Sequence, residues 1–184
     1  MQVSRAPQSS EADERIARLS TLTEWSMEGR IAVKQSSGGG QGRLSWQQAG
    51  NTTDIRLAGP LGAGAMNIHW VPEEVTVRGA DLDLQHRYSG EDAAEKFLAE
   101  QLGWSFPAGS IRYWLLGIPN PAYPYRQQFS ISGELLSIQQ LEWLVEYQRF
   151  ALVDGRSLPT KLQVEGSDVR LRLVVDDWNL SESP

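Results

Sequence analysis

The sequence predicts a mainly β protein in which two short helices interrupt a series of antiparallel strands. Apolar and polar residues alternate in many short segments, the first of which begins at Trp25. Short connections between these segments favour antiparallel neighbours. The segment "SGEDAAEKFLAEQLGW" changes to helical spacing, and its apolar face is most readily buried on the concave side of a sheet. The predicted fold is therefore a curved antiparallel sheet or open barrel, covered or plugged by short helices.

A first helix is predicted near the start of the chain. Ser10 and Asp13 resemble a capping box, and the apolar Ile16 and Leu19 follow at helical spacing. These features predict a helix from about Glu11 to Leu22.

Six strands are predicted in the first half of the chain. The first covers 25–34, where the apolar residues recur at every second position. The glycine-rich segment after it, Ser36–Gly42, is predicted to be a flexible hairpin loop. The other five strands are predicted at about Arg43–Gln48, Asp54–Ala58, Ala65–Val71, Glu74–Arg78 and Leu82–Tyr88.

Two helices and five more strands are predicted in the second half. Ser89 and Asp92 can cap the first of these helices, whose apolar face consists of Ala94, Phe97, Leu98, Gln101 and Leu102. The second contains Ile111, Trp114 and Leu115 at positions i, i+3 and i+4. The strands are predicted at Gln128–Ile131, Glu134–Gln140, Glu142–Leu152, Thr160–Glu165 and Val169–Trp178.

Composition excludes several classes of function. A chain of 184 residues that is 40% hydrophobic and 22% charged is typical of one globular domain. The net charge is −6 and the basic residues are scattered, which argues against binding to nucleic acid. No apolar run approaches the roughly 18 residues that a membrane-spanning helix needs. Cysteine is absent, so no disulfide or zinc–thiolate site is expected.

Catalytic and metal-binding patterns are weak. The glycine-rich segments complete neither a dinucleotide-binding motif nor a P-loop, and there are only two histidines. His69 is expected to face solvent, because its neighbours Ile68 and Trp70 occupy the opposite phase of a strand. The acidic pairs Asp81/Asp83 and Asp176/Asp177 are more typical of solvated strand ends than of a metal site. We therefore expect no metal, no cofactor and no enzyme activity; a hydrolase using Asp81, Asp83 or His69 is the least favoured alternative.

Two apolar features allow more than one interpretation. In "LAGPLGAGAM", Leu61 falls near the tip of a predicted Gly-Pro-Leu-Gly turn. It is either an ordinary exposed leucine or a residue that touches a membrane, since no charge occurs from Gly59 to Asn67. The apolar faces of the two central helices likewise belong either to an ordinary core or to a partly unfilled ligand cavity.

Several segments together resemble the LolB family of outer-membrane lipoprotein receptors. They are "WSMEGRIAV", "GRLSWQQAG", "GPLG", "SIRYWLLGIP" and "VDDWNL", which occur in the family's order between about Leu22 and Leu180. The resemblance implies a half-open antiparallel β-barrel with a helical lid and an apolar cavity, which is compatible with the pattern of predicted strands and helices. It also implies a single lipoprotein-binding domain over residues 10–184.

The resemblance implies a function in lipoprotein transport. Family members accept acylated lipoproteins from the periplasmic carrier LolA and insert them into the inner leaflet of the outer membrane, without nucleotide or cofactor. We expect this protein to do the same as a monomer. The alternative is a passive, lipocalin-like carrier of a small apolar ligand that has no role in membrane insertion.

The resemblance also assigns the site residues. The membrane-insertion loop corresponds to Pro60, Leu61 and Gly62. The family's cavity aromatics correspond to Trp46, Trp114, Trp143 and Trp178. Their apolar neighbours Ile31, Leu44, Phe97, Ile111 and Leu115 are added here as predicted cavity residues. Leu61→Glu is predicted to block delivery to the membrane, and Trp114→Glu to weaken acceptance of the acyl chains.

The start of the sequence departs from the family pattern. Family members are anchored at the periplasmic face of the outer membrane through an acylated N-terminal cysteine, whereas this chain begins Met1-Gln2 and has no cysteine. We therefore expect a soluble form that lacks the leader and the lipidated residue. Residues 1–9 are then a flexible remnant of the lipoprotein linker.

Overall fold

The structure is a computed structural model that describes residues 9–59, 64–79, 85–103 and 105–181. These residues form three helices and eleven strands. The helices are α1 (Ser9–Ser20), α2 (Ala93–Leu102) and α3 (Ala108–Leu116). The strands are β1 (Glu24–Gln35), β2 (Gly38–Ala49), β3 (Thr52–Ala58), β4 (Met66–Val71), β5 (Glu74–Gly79), β6 (Gln85–Ser89), β7 (Tyr125–Phe129), β8 (Leu135–Gln140), β9 (Trp143–Val153), β10 (Arg156–Gly166) and β11 (Val169–Leu180).

All eleven strands belong to one antiparallel sheet. Its order is β6-β5-β4-β3-β2-β1-β11-β10-β9-β8-β7, so the first and last strands of the chain pair in the middle. The helices α2 and α3 connect β6 and β7, which form the two edges. In the described part of the chain no pairing joins these edges, so the sheet does not close. The predicted fold class, a half-open antiparallel barrel with short helices, is confirmed.

The glycine-rich segment after β1 differs from the prediction. Only Ser36 and Ser37 form the turn, and the rest of the predicted loop, residues 38–42, belongs to β2. Gly38 pairs with Gln35 and Gly42 with Ile31 in an unbroken register. Glycine has a low intrinsic preference for strands, but the continuous pairing with β1 overrides it here.

Several boundaries in the second half also differ from the prediction. Strand β7 begins at Tyr125 and ends before Ile131, and α3 begins three residues before Ile111. Strand β10 begins at Arg156 because it pairs with the end of β9. It accommodates Pro159 at a register shift, where a missing backbone N–H is tolerated.

The apolar side chains form two clusters. The larger one joins α1 and α3 to β1, β2 and β8–β11, and the smaller one joins α2 to β4–β6. In the larger cluster the Trp25 ring stacks on Trp46 at 6.1 Å between centroids and meets the edge of Trp178 at 5.4 Å. Between the two clusters the sheet is incompletely covered, and the candidate site lies there.

Candidate functional site

A cavity of about 750 Å³ lies between the sheet and the helices α2 and α3. Among the described residues, its wall includes no charged side chain. The wall consists of Ile31, Val33, Gln35, Ser37, Gly38, Gly39, Gly40, Gln41, Gly42, Leu44, Trp46, Ile55, Leu57, Ala58, Gly59, Gly64, Met66, Ile68, Trp70, Val75, Ala94, Phe97, Leu98, Phe106, Ala108, Ile111, Leu115, Leu171 and Leu173. A largely apolar cavity of this size suits an apolar ligand.

The strand periodicity explains why these side chains meet. In β2, Leu44 and Trp46 are buried, whereas Ser45 and Gln47 on the opposite face are exposed. Trp46 pairs with Ile55 across to β3, and Ile55 pairs with Ile68 on β4. One apolar row therefore crosses three neighbouring strands on the same face of the sheet.

The described part of the cavity wall is buried at one end and exposed at the other. At the closed end, Trp46, Phe106 and Leu115 are 5%, 6% and 0% exposed. At the other end the wall consists of the exposed residues of the β1–β2 turn and the start of β2. A Cβ added to Gly40 would meet no atom of the described residues within 4 Å, so these residues leave space beside this glycine. We refer to this exposed end, bordered by residues 37–42, Gly59 and Gly64, as the mouth.

Helix α3, which forms part of the cavity wall, is fixed at its C-terminal end. The helix ends at Leu116 and is capped by Gly117, which adopts the left-handed conformation with φ 75°. Trp114 Nε1 donates a hydrogen bond to Gln140 Oε1 at 3.0 Å, and the hydroxyl of Tyr147 donates to Trp114 O at 2.8 Å. Burial raises the pKa of Tyr147, so this hydroxyl remains protonated and able to donate.

The structure places the nine predicted cavity residues in two groups. Six of them line the cavity: Ile31, Leu44, Trp46, Phe97, Ile111 and Leu115. The other three lie in the core, which corrects their predicted placement on the cavity wall. Trp114 is fully buried, Trp143 packs against Phe106 at 4.8 Å between ring centroids, and Trp178 Nε1 donates to Pro159 O at 2.9 Å. They point inward, but other elements cover them.

Further wall residues were not among the predicted site residues. Ile55, Leu57, Met66, Ile68 and Trp70 also line the cavity. The alternation in β3 and β4 places all five on one face, so the period of two was a signal that could have identified them. Phe106 lies between two helices, where no periodic pattern marks it.

The predicted membrane-insertion loop, Pro60, Leu61 and Gly62, lies outside the described residues. The described residues on either side of it, Gly59 and Gly64, both line the mouth. The acidic residues Asp81 and Asp83 also lie outside the described residues.

The remaining polar residues considered for catalysis lie on the surface. His69 Nδ1 is 2.6 Å from Asp54 Oδ1, and both side chains are about half exposed. Asp176 pairs with Arg30 at 2.9 Å, and Asp177 is exposed. Across the described ranges, no three acidic or histidine side chains are grouped so that they could hold a metal ion. None of the helices in the described residues is long and apolar enough to cross a membrane.

An unclosed antiparallel sheet with an apolar cavity beneath two helices places this protein among half-open barrels with an internal apolar cavity. A LolA superfamily protein from Nitrosomonas europaea has the same fold, with a TM-score of 0.58, 12% identity and coverage of 97% of this chain and 96% of that chain. A putative outer membrane lipoprotein-sorting protein domain from Vibrio parahaemolyticus matches with a TM-score of 0.53 and 12% identity. The match covers 95% of this chain and 92% of that chain.

The sequence comparisons identify the family. The family model for the outer membrane lipoprotein LolB matches residues 23–178, and the chain belongs to this family. Outer-membrane lipoprotein LolB of Nitrosococcus oceani is 34% identical over 168 residues, which cover 91% of this chain and 82% of that protein. The LolB of Pseudomonas aeruginosa strain LESB58 is 35% identical over 161 residues, which cover 88% of this chain and 77% of that protein.

Proposed function

We propose that this protein is a lipoprotein receptor of the outer membrane. It accepts the acyl chains of lipoproteins in the apolar cavity and inserts the lipoproteins into the inner leaflet, without nucleotide. The observation that carries this proposal is a cavity of about 750 Å³ that lacks charged wall residues among those described and opens at one end, in a member of the LolB family. We further propose that it acts as a monomer at the periplasmic face and that the periplasmic carrier LolA supplies the lipoproteins.

The energetics of acyl chains explain why a cavity with an open mouth is needed. Each methylene that leaves water contributes about 0.8 kcal/mol, so a long acyl chain contributes on the order of 10 kcal/mol. A transfer that exposes the acyl chain to water would therefore be prohibitively slow. In the proposed mechanism the acyl chains pass from the carrier's cavity through the mouth, and later from the mouth into lipid.

A passive carrier of a small apolar ligand is the alternative function, because the cavity alone is compatible with both. Transfer distinguishes them. LolA loaded with a labelled lipoprotein is mixed with this protein and then with liposomes, and the label is followed by separating the three components. A receptor takes the label and passes it to the liposomes. If the label stays on LolA, or stays on this protein and does not reach the liposomes, the alternative function as a passive carrier is favoured.

Leu61→Glu is expected to leave acceptance of the lipoprotein unchanged but to slow delivery to liposomes by about tenfold or more. A buried leucine contributes about 1.5–3 kcal/mol, whereas a carboxylate resists entry into an apolar layer. Delivery is measured in the transfer assay above. The matched control is Leu152→Glu, since Leu152 is 78% exposed near the end of β9. Delivery by Leu61→Glu at the rate of the control would contradict the role of the loop.

Gly40→Trp is expected to obstruct the mouth. The indole would enter the free space beside Gly40, and tryptophan favours strands more than glycine does, so the fold should persist. We expect binding of a fluorescent fatty acid to slow by roughly fivefold or more in stopped-flow measurements. The control is Gln47→Trp, which adds the same ring on the exposed face of β2. Equal binding rates for the two variants would show that ligands enter elsewhere.

A further inference from the structure

Arg15 of α1 is a partly buried cation whose role the cavity and the mouth do not explain. Its Nη1 donates a hydrogen bond to the backbone oxygen of Gly117, and its guanidinium lies 5.8 Å from the centroid of the Phe150 ring. Its Nη2 is buried and has no hydrogen-bond partner among the described residues. Among the described residues, no carboxylate oxygen lies within 4 Å of the Arg15 guanidinium nitrogens. Burial lowers the pKa of Arg15 from its ordinary value.

A partly buried arginine without a carboxylate partner is unfavourable unless other groups compensate its charge. Here the compensating group is the C-terminal end of α3, where unpaired carbonyls carry partial negative charge. Gly117 immediately follows this helix, and its oxygen accepts the hydrogen bond. A Cβ at Gly117 would lie 2.7 Å from Arg15 Nη2 and 3.1 Å from Pro159 Cγ. The absence of a side chain at Gly117 therefore admits the guanidinium.

This contact acts on a helix that forms the cavity wall. Ala108, Ile111 and Leu115 of α3 line the cavity, and Leu115 is two residues from Gly117. At the other end of the helix, the N-cap residue Pro107 provides no side-chain hydrogen bond. Side-chain hydrogen bonds to the backbone therefore hold the C-terminal end of α3, and Tyr147 and Arg15 donate them.

We propose that Arg15 is a positioning residue for the cavity: by holding the C-terminal end of α3, it keeps the wall residues of this helix against the sheet. The inference deepens the proposed function, because a wall held in place defines the space available to an acyl chain. It makes α1 part of the binding apparatus although none of its described residues lines the cavity.

The test uses the absence of cysteine from the chain. Ala108→Cys introduces a single thiol on the cavity side of α3, where Ala108 is 4% exposed. Its reaction with 4,4′-dithiodipyridine reports displacement of the wall under native conditions. Adding Arg15→Met should accelerate labelling by about tenfold, because opening of α3 becomes easier. Adding Arg18→Met, which removes an exposed arginine of the same helix, should leave the rate unchanged.

Two further variants separate positioning from loss of stability. Val145→Ala removes buried volume from β9 without touching Arg15, and at a similar loss of Tm it should not accelerate labelling. If Arg15→Met does not fold, Arg15→Lys replaces it, with about threefold faster labelling expected than for Arg18→Lys. Equal rates for the Arg15 and Arg18 variants, or an equal acceleration by Val145→Ala, would overturn the proposal.

Binding of a dansyl-labelled fatty acid supplies the second readout. We expect Arg15→Met to weaken its binding by roughly threefold or more, and Arg18→Met to leave it unchanged. If the unsubstituted protein does not bind the probe, the proposed function fails while the labelling rates still test Arg15. If the probe binds the unsubstituted protein and Arg15→Met equally well, the positioning role fails and the proposed function stands.

Discussion

Ile111→Glu is expected to weaken the binding of a fluorescent fatty acid by about 30-fold or more, which corresponds to roughly 2 kcal/mol. Ile111 lies in the middle of α3, lines the cavity and is only partly buried. A carboxylate at this position would remain hydrated in the empty cavity but would lose water when an acyl chain enters. The charge therefore opposes binding more than it opposes folding.

The control for this prediction is Ile111→Gln, which has nearly the same size and polarity without the charge. The affinity of Ile111→Gln for the fatty acid should be several-fold higher than that of Ile111→Glu, because an amide is less costly to desolvate than a carboxylate. Both affinities are obtained by equilibrium titration, with circular dichroism to verify the fold. Ile111→Glu binding as tightly as the unsubstituted protein would remove α3 from the ligand site.

Trp114→Ala is expected to reduce the free energy of unfolding by about 3–5 kcal/mol. The indole of Trp114 is fully buried and packs against Phe106 at 6.0 Å between ring centroids. Its removal leaves a cavity in the core and also deprives Gln140 of the hydrogen bond from Trp114 Nε1. The loss is measured by urea denaturation monitored by circular dichroism.

Trp114→Phe separates the two contributions. Phenylalanine fills most of the space but lacks the N–H, so we expect a loss of about 1–3 kcal/mol, smaller than for alanine. Gln140 then keeps its bonds from Asn120 N and to the oxygens of Asn120 and Tyr123. A change below about 1 kcal/mol for Trp114→Ala would contradict the core position.

The core position of Trp114 also changes the expected result of Trp114→Glu. The resemblance placed this residue on the cavity wall, where a carboxylate would weaken acceptance of acyl chains. In the structure the same carboxylate would be buried among apolar groups, and we expect it to unfold the protein. The variant is therefore unsuitable as a probe of ligand binding.

The sequence was sufficient to predict the fold class and the family. Both predictions are confirmed, by the unclosed antiparallel sheet and by the family match over residues 23–178. A strand presents alternate residues to opposite faces, and Leu44, Trp46 and Ile31, which share the apolar phase of their strands, line the cavity. Glycine composition misled the prediction for residues 38–42, since pairing with β1 outweighs local preference.

The sequence by itself determined which side chains point inward, because that follows from the local periodicity of each strand and helix. Only the tertiary structure decided which inward side chains face open space and which are covered. Trp46 and Trp143 have the same pattern in their strands, yet Trp46 lines the cavity while Trp143 packs beneath Phe106. The physical reason is that coverage depends on elements distant in the chain, as the contact between Arg15 and Gly117 also does. No local pattern carries that information.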